Sequence, residues 1–219
     1  MKYLIILFPL IVLFSFQGCA QNNLKKNVKK KGEIKTGGSC EGCQAIYETT
    51  IPFEKLDWTD TLPDFNDPGP QLVVSGIIYK KDGKTPAPGV VLYVYHTDQK
   101  GIYPSRGYEK GRAGQHGFIR GWIKSNDRGQ YKFYTLVPAS YPNSSNPKHI
   151  HSVIKEPGLS EYWIDDFVFA DDPLLPEGEQ NKTQARGGSG VLKTYMKNGM
   201  LHAERNIILG KNIPGYPAK

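Results

Sequence analysis

From Gln71 onward the chain breaks into short apolar runs separated by turn residues, and none of them carries the 3.6-residue period of a long amphipathic helix. Strands are predicted over residues 71–79, 90–96, 118–124, 130–136, 148–155, 162–169 and 201–209. In the second of these, Val91, Tyr93 and Tyr95 fall on one face, and Val90, Leu92, Val94 and His96 on the other. Lys80-Lys81-Asp82-Gly83 reads as a hairpin-type turn, and Asn126-Asp127-Arg128-Gly129 as a second turn. The expected class is all-β: an antiparallel β-sandwich over residues 71–219 with long connecting loops. Residues 171–190 are polar and glycine-rich and read as one such loop. Residues 40–70 contain Pro52, Pro63, Pro68 and Pro70 and no clean period, so they are expected to form an irregular N-terminal arm packed over the domain.

The N-terminus has a different character. A basic start at Lys2 precedes an apolar run from Leu4 to Phe16, too short to span a bilayer and shaped like a signal-peptide core. It ends in Phe16-Gln17-Gly18-Cys19, which resembles a bacterial lipobox. Residues 1–18 are therefore expected to be removed and Cys19 to be lipidated, anchoring the chain to a bacterial membrane, facing the periplasm or the cell surface. Cleavage of an ordinary signal peptide near Ala20 is the alternative. Residues 19–39 then form a linker. The net charge of +7 sits largely there, since residues 24–35 hold six lysines against Glu33 and residues 36–219 are left with a net charge of +1. That basic run reads as a tether beside an anionic membrane, or as a solvated linker without a partner. No basic stripe interleaved with aromatics occurs in the domain, which disfavours nucleic acid as a partner. Cys40 and Cys43 form a Cys-x-x-Cys pair. It could be redox-active, half of a zinc site or a small disulfide; export favours the disulfide, and no second pair completes a zinc site.

Candidate chemistry centres on His149-Ile150-His151. On a strand, residues i and i+2 share a face, so both imidazoles can reach one metal ion while Ile150 turns into the core. The pair is preceded by Pro138-Ala139-Ser140-Tyr141-Pro142 and, further upstream, by Tyr95-His96-Thr97-Asp98 and Gly101-Ile102-Tyr103.

An ordered series of such pieces over about residues 71–173 resembles the intradiol ring-cleavage dioxygenases. The series opens with Val74-Ser75-Gly76, Asp82-Gly83 and Pro86-Ala87-Pro88-Gly89. It continues through residues 95–103, Phe118-Ile119-Arg120-Gly121, residues 126–131, Thr135-Leu136-Val137-Pro138 and Tyr141-Pro142. His149-Ile150-His151 and Phe169-Ala170-Asp171-Asp172-Pro173 close it. The resemblance implies a mononuclear Fe(III) cofactor held by Tyr103, Tyr141, His149 and His151. It also implies a small aromatic diol and O2 as substrates and a muconate-type diacid as product. Tyr141 would leave the metal and take a substrate proton as general base. A hard ferric ion suits phenolate oxygen and lowers the phenol pKa from its usual value near 10.

Asn146 stands where the resemblance expects an arginine that polarises the reacting diol, and an amide carries no charge for that role. Arg106, Arg112, Arg120 or Lys148 could supply it. Arg120 comes first by strand position, with a structural role as its alternative. The catalytic candidates are thus Tyr141, Arg120 and Asn146. His96, facing Asp98, is expected to be a core histidine or one that supports a ligand from behind, with a minor claim as ligand itself; His116 is expected in a flexible loop, lining a pocket or exposed, and His202 on a strand surface. Asp165-Asp166 and Asp171-Asp172 read as turn-capping acids rather than a calcium loop. A second function class stays open: a non-catalytic, lipid-anchored sandwich that holds an aromatic or glycan ligand in the same pocket.

Overall fold

A computed structural model of the chain describes Met1, residues 32–107 and residues 109–218. The expected signal peptide, Cys19 and the lysine run up to Lys31 lie outside the described residues. Among the described residues, twelve strands run β1 (Thr59–Thr61), β2 (Gln71–Tyr79), β3 (Val91–Tyr95), β4 (Arg120–Lys124), β5 (Gln130–Leu136) and β6 (His149–Lys155), then β7 (Tyr162–Trp163), β8 (Phe167–Phe169), β9 (Val191–Leu192), β10 (Tyr195–Lys197), β11 (Met200–Glu204) and β12 (Ile207–Ile208). One four-residue helix, α1, spans Ala113–His116.

The strands form two sheets. The first has the order β1-β5-β2-β11-β10, with β12 also on β2. The second has the order β4-β3-β6-β8-β9, with β7 also on β6. The all-β class holds, but the sheets are mixed rather than antiparallel. β1 runs parallel to β5, β11 and β12 parallel to β2, and β9 parallel to β8. The turn at residues 80–83, read as hairpin-type, instead carries the chain from one sheet to the other, as does the turn at residues 126–129, since β2 pairs with β5 and β3 with β4 and β6.

The facing surfaces alternate as strand geometry requires. Leu72, Val74 and Ile78 of β2, Phe133 of β5, Leu92 and Val94 of β3, Ile150 and Ile154 of β6 and Phe167 of β8 fill the space between the sheets. Gly76 interrupts this row for a steric reason. A Cβ there would lie 1.8 Å from the Arg205 carbonyl oxygen, which accepts the Tyr131 hydroxyl hydrogen bond at 2.7 Å. The same contact explains why the strand expected over residues 201–209 divides. Arg205 donates its backbone N–H to Ser75 and Asn206 caps Ile77 N–H with its side chain, so the chain bulges past Gly76. The strand expected over residues 162–169 also divides, at residues 164–166. There the Asp165 carbonyl turns to the buried Arg205 guanidinium (2.8 Å) and the Asp166 side chain turns toward His151.

The arm is less irregular than its prolines imply. Cys43–Glu48 forms a 3-10 helix, Phe53–Lys55 another, and Thr59–Thr61 joins the first sheet. Cys40 and Cys43 are disulfide-bonded. Cys43, Ala45, Ile46 and Leu56 pack on Val91, Tyr93 and Val153, so the arm covers the outer face of the second sheet. Asp64 ties the arm to the core. Its carboxylate accepts the Thr135 hydroxyl (2.9 Å), and that same oxygen lies 2.6 Å from His96 Nε2. His96 is therefore a buried core histidine as expected, although its acidic neighbour is Asp64 and not Asp98. Burial pushes its pKa down, against the pull of the Asp64 carboxylate.

Candidate metal centre

β6 places His149 and His151 on one face and buries Ile150 on the other. Tyr103 and Tyr141 come from two loops that lie side by side. The Thr97 hydroxyl donates to the Ala139 carbonyl (2.6 Å), and the Ala139 N–H donates to Asp98 (3.2 Å). Gly101 permits the closest approach, because a Cβ there would sit 2.0 Å from the Ser140 carbonyl oxygen. The Asp98 carboxylate then accepts the N–H groups of Lys100 and Ile102, shaping the turn that delivers Tyr103.

The four side chains converge. The Tyr103 and Tyr141 hydroxyls are hydrogen-bonded to each other. The Tyr141 oxygen lies 3.1 Å from both His149 Nε2 and His151 Nε2, and Tyr103 lies 2.8 Å from His151 Nε2. His149 Nε2 and His151 Nε2 are 3.1 Å apart. Each imidazole is oriented from behind. His149 Nδ1 donates to the Pro147 carbonyl (2.7 Å), and His151 Nδ1 faces Asp166 (3.1 Å). A proton on Nδ1 leaves Nε2 of each ring with a lone pair, so both rings can ligate one cation lying between them. An ion about 2 Å from each donor sets neighbouring donors about 3 Å apart, which matches this spacing. The donor set of two phenols and two imidazoles therefore fits a hard trivalent metal.

The electrostatics agree. Burial is the main force raising the pKa of both Tyr103 and Tyr141, so neither ionises by itself; a multivalent cation reverses that preference. Burial lowers the pKa of His149, which favours the neutral, ligating form. Asp166 groups spatially with His149 and His151, but its carboxylate sits on the Nδ1 side of His151 and orients that ring.

A cleft of about 600 Å³ opens beside these groups. Tyr95, Tyr103, Tyr141, His151, Asp166 and Trp163 form one part of its wall, and Cys40, Glu41, Gly42, Gln115 and His116 another. Asn146 is exposed and is not among the residues that line the cleft. Arg120 is paired with Glu48 (2.8 Å) and lies over the Trp122 ring. Arg106 covers Phe118 and Lys148 pairs with Asp171, so neither of these charges is spare. His116 does not sit in an open loop. It ends α1, is buried, and stacks on Tyr95 with ring centroids 3.8 Å apart. Asp172 caps the Lys148 and Leu174 N–H groups. His202 lies on β11, stacked on Tyr195. Sequence reasoning missed Asp166 as a partner of His151, and the cleft roles of Tyr95 and Trp163; for His116 it offered pocket lining and plain exposure, and the cleft holds the first. Of these, only Tyr95 had a local signal, its place on the same face as the neighbouring β6 histidines.

Residues 47–199 match the sequence model of a dioxygenase family. The chain belongs to that family, the intradiol ring-cleavage dioxygenases. Catechol 1,2-dioxygenase 1 of Acinetobacter lwoffii is 32% identical over 154 residues, covering 68% of this chain and 48% of the relative. Catechol 1,2-dioxygenase 2 of the same organism is 28% identical over 147 residues, covering 54% and 52%. The chain thus spans about half the length of these curated relatives. Among solved structures, the dioxygenase domain of a dioxygenase–carbohydrate-binding protein fusion from Streptomyces sp. SirexAA-E shares the fold, with TM-score 0.53 and 21% identity over 72% of this chain and 92% of that one. Catechol 1,2-dioxygenase from Acinetobacter sp. ADP1 does so with TM-score 0.51 and 20% identity, over 70% and 57%.

Proposed function

We propose that this chain is an Fe(III)-dependent enzyme that cleaves a catechol-type aromatic diol with O2 between its two hydroxyl-bearing carbons, giving a muconate-type diacid. The observation that carries this reading is the convergence of two phenol oxygens and two imidazole Nε2 atoms on one point. Tyr103, Tyr141, His149 and His151 would hold the ion. A bound ferric ion supplies Lewis-acid polarisation of the diol and a redox partner for its oxidation.

The protein's own groups do the rest. Tyr141 contacts each of the other three donors, so its oxygen is the one best placed to receive a proton from an incoming diol. Asp166 and the Pro147 carbonyl fix the rings of His151 and His149. The Tyr95 ring packs against His151 with centroids 4.6 Å apart and shields that side from water.

Tyrosinate on Fe(III) absorbs strongly in the visible range. Iron-loaded protein is expected to be coloured, and its band to shift when catechol is added. Colourless protein, or iron content unchanged in Tyr103→Phe and Tyr141→Phe, overturns the assignment. Colour without oxygen consumption across a panel of catechols would favour the binding-module reading. We further propose export with lipid attachment at Cys19. Membrane fractionation tests this, and Cys19→Ser should release the protein from the membrane.

A further inference from the structure

Asn146 lies outside the cleft, so other residues of its wall meet the substrate. His116 is one of them, and its protonation pattern follows from a chain of contacts. Glu48 accepts from the Arg120 guanidinium at 2.8 Å. The Arg120 charge also acts on the Tyr93 hydroxyl. Tyr93 is fully buried, and its oxygen lies 2.9 Å from His116 Nδ1. A guanidinium has only donors, so the Tyr93 proton has one acceptor among its described partners, His116 Nδ1. His116 Nδ1 therefore accepts, and the ring proton resides on Nε2. Stacking on Tyr95, with the ring planes 1° apart, fixes the imidazole plane. Nε2 also lies where a Cβ on Gly42 would approach within 2.7 Å, so Gly42 leaves room beside the N–H.

Among the described residues that line the cleft, Glu41 and Asp166 are acidic and none is a lysine or arginine. The nearby cations Arg120 and Arg112 also act on His116 from outside that lining, where Arg120 pairs with Glu48 and Arg112 donates to the Gln115 side chain.

We infer that His116 presents a fixed, uncharged Nε2–H donor into the cleft, and that the cleft therefore selects catechols whose ring substituent is a neutral hydrogen-bond acceptor over catechols that bear a ring carboxylate. The inference deepens the ring-cleavage reading and rests on it for the word catechol. The tautomer stands independently. A neutral donor binds a hydroxyl or carbonyl oxygen well, but it does not offset the repulsion of Glu41 and Asp166 for an anion. Burial, with His151 and Arg120 nearby, pushes the His116 pKa down to about 4, so the ring stays neutral near pH 7.

Two measurements test this. The first is a nitrogen–proton NMR correlation of the imidazoles in the metal-free full chain. His116 should show the Nε2–H tautomer, and the Nδ1–H tautomer overturns the inference whether or not the protein cleaves rings. The second follows the visible band of iron-loaded protein during titration with 3,4-dihydroxybenzyl alcohol, 4-methylcatechol and 3,4-dihydroxybenzoate. The alcohol should bind at least about tenfold more tightly than the benzoate, a difference of about 1.4 kcal/mol. His116→Leu should weaken the alcohol by about tenfold more than it weakens 4-methylcatechol, while His116→Gln, which keeps an N–H donor, restores most of the difference. Tyr93→Phe, which keeps His116 but frees its tautomer, should lose part of the selectivity and guards against a folding defect in His116→Leu. Equal weakening of all three ligands in His116→Leu, or tighter binding of the benzoate by the wild type, overturns the inference. If the Nε2–H tautomer is present but no catechol shifts the band, the ring-cleavage reading fails and this substrate assignment fails with it.

Discussion

The two sheets use the same alternation for different ends. In β5 of the first sheet, Tyr131, Phe133 and Thr135 point inward and are buried, while Gln130, Lys132 and Tyr134 on the outer face remain partly exposed. In β3 of the second sheet, residues 91–94 are buried on both faces. Leu92 and Val94 pack between the sheets, and Val91 and Tyr93 pack under the arm. A sheet with one wet face needs only its inner residues to be right. A sheet covered on both faces gains a second apolar layer, and at its margin a site where phenols and imidazoles sit away from bulk water. The candidate metal centre lies on this covered sheet, at the β3–β6 pair, where Tyr95 opposes His151.

Substitutions that separate the two faces test this contrast. The largest effect is expected at the centre itself. Tyr103→Phe, Tyr141→Phe, His149→Ala or His151→Ala should each lower iron affinity by more than about 100-fold, beyond the 10–100-fold typical of a residue that only supports a ligand; metal analysis after dialysis measures it. In the shared core, Phe133→Ala should cost about 3–5 kcal/mol of unfolding free energy in denaturant melts, because a fully buried ring leaves a cavity. Behind the ligands, Asp166→Asn should reduce iron affinity by about 10–100-fold with little change in the melt, by loosening the orientation of His151.

A pH effect should follow at the covered face. The His116 pKa falls from 6.5 to about 4 in the fold, so between these values the unfolded chain binds more protons than the folded one. Stability from this group is complete above about pH 6.5 and is lost as pH falls toward 4, on the order of 2 kcal/mol in all. His116→Gln should flatten that part of a stability-versus-pH curve. The smallest effect is expected on the wet face. Lys132→Ala, which removes a cation from the Trp58 ring, should cost about 0.5–1 kcal/mol and leave iron binding unchanged.

Much of this was legible in the chain. The strand period marked β2 through β6 to within a residue or two, and the His-x-His spacing placed two imidazoles on one face because side chains alternate on a strand. The ordered motifs singled out Tyr103 and Tyr141, which the structure brings beside those imidazoles. The arm strand β1 was not legible. Thr59–Thr61 has no alternation of its own, and it forms because β5 offers a free edge. The breaks at residues 164–166 and 205–206 were equally hidden, since each answers to a distant partner: Arg205 and His151 in one case, Gly76 in the other.

The sequence by itself determined the all-β class, the inward rows of the strands and the kinds of donor available to a metal, because these depend on local period and residue chemistry. Only the tertiary structure decided which acid stands behind which histidine, that Arg120 is bound to Glu48, and that the arm and α1 complete the cleft. Those pairings join residues far apart in the chain, and no local pattern encodes which distant side chain will arrive at a given face. Asp166 and His116 show this most directly. As letters they are one acid of a pair and one histidine among five, and their roles arise from the groups the fold sets against them.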